Sequence, residues 1–117
     1  LHVYFKPVKL KEAQKPIVLS EFGGYSYKPE GHVFNPVNTY GYRFFKEQTD
    51  FENALVKLYE DEIIPAVGEG LCGAVYTQVS DVEDETNGLL SYDRKVTKIG
   101  ADRMLKIADA LYREIQN

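Results

Sequence analysis

Tryptophan is absent from this chain, cysteine and methionine occur once each, and histidine occurs twice. A single cysteine, Cys72, excludes an intrachain disulfide and leaves the compartment open. Inside the apolar run LCGAVY it is expected to pack as a small hydrophobe. His2 and His32 have no cysteine or histidine companions at ligand spacing, so no transition-metal site is expected. Positive charge is also in short supply. With a net charge of −4 and an isoelectric point near 5.2, the chain offers no electrostatic footprint for nucleic acid or an anionic membrane. The lysines Lys6, Lys9, Lys11 and Lys15 are spread through a loop-like lead and read as a solvated face. No apolar run approaches the length of a membrane span, and LHVYFKPVKLKEAQ lacks the apolar core and cleavage site of a signal peptide. Gly23-Gly24 belongs to neither a G-x-G-x-x-G nor a G-K-[ST] phosphate cradle, and Ser20 has no G-x-S-x-G elbow. No cofactor is expected.

What is present is the material of one soluble domain: 117 residues, 44% hydrophobic and 27% charged. Nine tyrosines and six phenylalanines enrich it in aromatics. Many of the tyrosines fall in segments that read as loops, which suits a hydrogen-bonding pocket wall as well as a core.

Residues 1–15 read as an irregular lead, and Pro16 suits the first position of a strand. IVLSEF then forms a short continuous apolar run, the pattern of a strand buried on both faces. Residues 23–48, rich in glycine, proline and asparagine, read as one long loop. Thr49 and Glu52 have the spacing of a capping box, which predicts an amphipathic helix over about residues 50–64, stopped near Pro65. LCGAVYTQ (71–78) reads as a second buried strand. A polar connection with an Asn87-Gly88 turn follows. A closing helix over roughly 100–116 is expected to place Ala101, Met104, Leu105, Ala108, Leu111 and Ile115 on one buried face. Buried strands alternating with amphipathic helices predict an α/β chain with a parallel sheet, as two strand-loop-helix units over 16–67 and 71–116. Two such strands cannot cover both faces and edges of a parallel sheet, so the chain is expected to be part of something larger.

Glu21 is the first candidate for chemistry. It ends an apolar strand immediately before two glycines, the place where α/β proteins gather functional groups. A carboxylate bonded to a buried arginine or a backbone amide would look the same in sequence, and the two readings balance. The acidic run DVEDE (81–85) lacks the calcium-loop spacing and reads as a solvated loop.

KPIVLSEFGGY and GAVYTQVSDVEDETNGLLSYDRK together resemble glycoside hydrolase family 2, which contains β-galactosidases, β-glucuronidases and β-mannosidases. The resemblance covers roughly residues 15–116 and is to the C-terminal part of that family's catalytic (β/α)8 barrel. It implies that the chain is a barrel fragment made of the seventh and eighth βα units. It also implies that Glu21 is the catalytic nucleophile of a retaining β-glycosidase. Tyr25, Tyr76, Gln78, Asp81 and Glu83 would then border the sugar. The family's acid/base glutamate lies in an Asn-Glu pair, and no asparagine of this chain precedes a glutamate. The chain alone is therefore expected to lack meaningful glycosidase activity, because removing one member of a cooperating pair removes most of the rate. Its open strand edges and helix faces lead to an expectation of self-association, by strand addition or swapping. The competing expectation is a free-standing α/β module that binds carbohydrate or protein through its tyrosine-rich loops without chemistry.

Overall fold

The computed structural model describes residues 2, 4–10, 15–36 and 43–116; Lys11 and several other positions of the lead lie outside them. Strand β1 (Ile17–Gly23) lies parallel to β4 (Leu71–Thr77), and β2 (Tyr25–Tyr27) lies parallel to β3 (Arg43–Phe45). These are two separate two-stranded sheets. Helical residues fall in two runs. The first consists of α1 (Gln48–Leu58), a π-helical turn (Tyr59–Ile63) and α2 (Ile64–Gly68), and the second is α3 (Ala101–Gln116).

This arrangement overturns the expectation of two βα units from a (β/α)8 barrel. Among the described residues there are only two helical runs and short parallel strands divided between two unconnected sheets, a small α/β arrangement instead. The division begins at the glycine pair. Gly23 and Gly24 have φ of 102° and 76°, values that carry the chain off the line of β1. At Gly23 a Cβ would also sit 2.5 Å from the Tyr76 ring, so only glycine fits there. Beyond the turn, Arg43 N–H donates to the Gly24 carbonyl, and β2 takes β3 as its partner. Part of the segment read as one loop is thus sheet.

Other local expectations also give way to tertiary contacts. In β1 only Leu19, Phe22 and Gly23 are buried, because the two-stranded sheet leaves its other positions uncovered. Cys72 is exposed rather than packed inside. Helix α1 starts at Gln48 with Glu47 as N-cap and no side-chain cap. Glu52, expected in a capping box, instead accepts from Gly100 N–H at 3.0 Å and Arg103 at 3.1 Å, tying α1 to the start of α3. Pro65 does not stop the helical run. It sits in the first turn of α2, directly after the π-helical turn, where a missing N–H is tolerated.

Two apolar clusters hold these elements together. Leu19, Phe22, Ile63, Ala66 and Leu71 fill the space between the β1–β4 sheet and the end of the first helical run. Tyr25, Phe51, Leu55 and Ile99 join β2, α1 and the residues leading into α3. Between β4 and α3 the chain doubles back on itself, with residues 78–81 hydrogen-bonded to residues 87–90. Gly88 lies so close to Ser80 and Asp81 that any side chain would collide with their backbone.

Lys98 anchors this stretch. Its side chain is fully buried, and its ammonium donates to Asp81 Oδ1 at 2.7 Å and to the Thr86 carbonyl at 2.8 Å. Asp81 Oδ1 also accepts from Gly88 N–H at 2.8 Å. The Lys98 carbonyl takes a hydrogen bond from Gln48, and its ammonium lies 5.8 Å from the centre of the Phe51 ring. Removing one partner of such a pair strands a buried charge, whereas replacing both removes the desolvation cost with it. Lys98→Met is expected to lower unfolding free energy by about 3–5 kcal/mol. In urea denaturation, Lys98→Met with Asp81→Asn should lose clearly less than the two single losses together. Strict additivity would show that the pair does not act as a unit.

Candidate functional site

Glu21 is positioned by the pairing of β1 with β4. Phe22 is in register with Tyr76 and Gly23 with Thr77, so both strands end on the same side of the molecule. The register is irregular between Leu19 and Phe22, the step that contains Glu21. On the opposite flank, His2 forms a parallel bridge with Glu21. The carboxylate therefore lies between the end of β4 and the N-terminal segment, with its side chain 32% exposed.

Three neighbours engage it. His2 Nδ1 is 3.1 Å from Glu21 Oε2. The hydroxyls of Tyr4 and Thr77 hydrogen-bond the carboxylate, and Tyr4 also lies 3.4 Å from Thr77 Oγ1. The Tyr4 bond is the largest influence and holds the carboxyl below the usual glutamate range. Partial desolvation opposes it, and Thr77 and the charge of His2 add to the lowering. An ionised, partly accessible carboxylate at a strand end can act as a nucleophile, a base or a cation-binding group. Among the described residues, no group of three His, Cys, Asp or Glu side chains could hold a metal.

The other residues singled out in the sequence are distributed differently. Tyr76 and Tyr25 meet in the aromatic core. Tyr76 packs edge-on against Phe22 at 5.5 Å, and burial pushes its phenol far up, so it stays neutral. Tyr25 contacts Phe45 and Phe5 and lines a cleft of about 160 Å³ with Phe22, Arg43 and Glu62. Gln78 donates to Asn87 at 3.4 Å at the base of the 78–90 stretch. Asp81 is turned inward to Lys98, so its carboxylate lies in the interior rather than in a solvated loop. Glu83 is exposed at the loop tip with φ of 50°.

His2, Tyr4 and Thr77 are not marked as site residues by any motif in the sequence. A faint signal existed in LHVYF, whose β-branched and aromatic residues suit an extended segment beside a strand. Lys98 carried no signal, because nothing local distinguishes it from a solvated lysine.

If the Tyr4 hydroxyl depresses the Glu21 pKa, Tyr4→Phe should raise the carboxyl titration midpoint followed by carbon-13 NMR. An unchanged midpoint would remove Tyr4 from the site. The contribution of Glu21 to stability is present above the pKa of a free glutamate and is lost as pH falls through the lowered folded value.

No protein-family model matches the chain and no curated protein matches it, so what the site can do rests on Glu21 and its neighbours.

Proposed function

We propose that Glu21 is the nucleophile of a retaining β-glycosidase reaction. The observation that carries this reading is a partly exposed carboxylate at the end of β1, kept ionised by Tyr4, Thr77 and His2. In this chemistry the nucleophile must be ionised when the sugar binds. It attacks the anomeric carbon, the leaving oxygen departs with a proton from a second carboxylic acid, and water later releases the sugar from the glycosyl-enzyme ester. The resemblance to glycoside hydrolase family 2 supplies the substrate class, a β-glycoside. The Asn-Glu pair that would carry the acid does not occur in this sequence.

That gap suggests a test which bypasses the acid. A 2,4-dinitrophenyl 2-deoxy-2-fluoro-β-glycoside has a leaving group that departs without protonation, and its fluorine slows release of the sugar. Mass spectrometry of the chain treated with the galacto, glucurono or manno reagent should show one sugar attached to the peptide containing Glu21. Glu21→Gln should abolish the adduct. Labelling of another carboxylate, or of none, would end the assignment. Aryl β-glycosides with poor leaving groups should turn over about 10²–10⁴-fold more slowly than with an enzyme holding both carboxyls, the usual contribution of a general acid.

One observation favours a second reading, carbohydrate binding without chemistry. Phe34 and Tyr92 are both exposed and form an edge-to-face pair at 6.1 Å. They adjoin His32 and Asp93, whose side chains meet at 2.8 Å. Aromatic faces beside oriented polar groups suit a sugar ring. Under this reading, oligosaccharides shift the NMR signals of Phe34 and Tyr92, Phe34→Ala removes the shifts, and Glu21 is never labelled.

A further inference from the structure

We propose that the exposed face of α3 is a docking surface for a second copy of this chain. On a helical projection, the apolar residues of α3 run continuously from Ile107 through Leu111, Met104, Ile115, Ala108 and Tyr112 to Leu105, an arc far wider than a single core-facing stripe. Only one side of the arc is covered. Ile107 is buried, and Met104 and Leu111 are partly buried against the two apolar clusters. The other side is open, with Leu105, Tyr112 and Ile115 exposed by 62%, 65% and 70%.

The spacing of the open side is that of a helix-pairing seam. Leu105, Ala108, Tyr112 and Ile115 follow one another at intervals of three, four and three residues, the a/d repeat that keeps a row of side chains facing a partner helix. Ala108 sits mid-seam, where a small residue lets two helices approach closely. The seam continues into an apolar cleft of about 210 Å³ where Ile115 and Leu111 meet Cys72 and Ala74 of β4. Asp102, Lys106, Asp109 and Arg113 occupy the flank away from that cleft and form a charged rim of both signs.

The total exposed surface of the chain leaves room for a dimer interface. The chain exposes 7646 Å², about 1,200 Å² more than a compact monomer of its mass. Its radius of gyration of 14.9 Å likewise exceeds the value of about 13.4 Å for a compact domain of this length. A stable interface of ordinary size covers about 800 Å² on each partner, so the excess accommodates one such patch. A second copy presents the same seam and pairs with it isologously about a twofold axis, which closes the assembly at two.

Sedimentation equilibrium of the whole chain, with cross-linking, tests this. The chain is expected to be dimeric at tens of micromolar. Leu105→Glu with Tyr112→Glu should weaken association by about tenfold or more, the effect of losing roughly 1.4 kcal/mol at the seam. Because both positions are exposed, helical circular dichroism should be unchanged. In a second arm, Ala108→Cys in a Cys72→Ser background should give a disulfide-linked dimer under mild oxidation. A chain that is still monomeric at about 100 µM would overturn the proposal. So would a dimer that persists at full strength in the double glutamate variant, or an Ala108→Cys chain that does not cross-link.

Discussion

The burial of one ammonium group organises the second half of this protein. Lys98 has no exposure, and a charge taken so far out of water is tolerable only with close partners. Asp81 and the Thr86 carbonyl supply them, and both belong to the stretch that follows β4. That stretch therefore folds back so that its polar groups surround the lysine, and Gly88 is required where the two passes of chain meet most closely. The Lys98 carbonyl, bonded to Gln48, then fixes the stretch to the first helical run. Burial pushes Asp81 up and Lys98 down while their mutual attraction opposes both shifts, as expected where the pair carries its charge at a desolvation cost.

The β1–β4 pairing does for Glu21 what Lys98 does for the loop. Parallel register brings the end of β4 beside the end of β1, so Thr77 reaches a carboxylate more than fifty residues earlier in the chain. His2 and Tyr4 close the other side. The same two glycines that free Glu21 from a longer strand also force the chain away from that sheet and into β2. One local device thus exposes the carboxylate and divides the fold into two small sheets.

The sequence foretold the elements with strong local periodicity. IVLSEF and LCGAVYT are strands, and the spacing of apolar residues marks helices close to the observed α1 and α3. It foretold less where distant residues compete for the same group. Glu52 had the spacing of a cap, yet Arg103 and the start of α3 offered it a better partner. Pro65 looked like a helix stop, yet a π-helical turn absorbed it. The apolar positions of α3 were visible as one face, but only the packing of α2 and the two clusters shows which part of that face is covered.

By itself the sequence determined the position of Glu21 at a strand end before a glycine turn, because apolar runs and glycine pairs act through the conformation of a few neighbouring residues. It also determined that no intrachain disulfide could form. The tertiary structure decided which groups surround the carboxylate, that Lys98 is buried rather than solvated, that β2 pairs with β3, and that the strands do not make barrel units. These outcomes depend on hydrogen bonds and desolvation between residues far apart in the chain. Such contacts leave no period in the sequence and exist only once the backbone has brought their partners together.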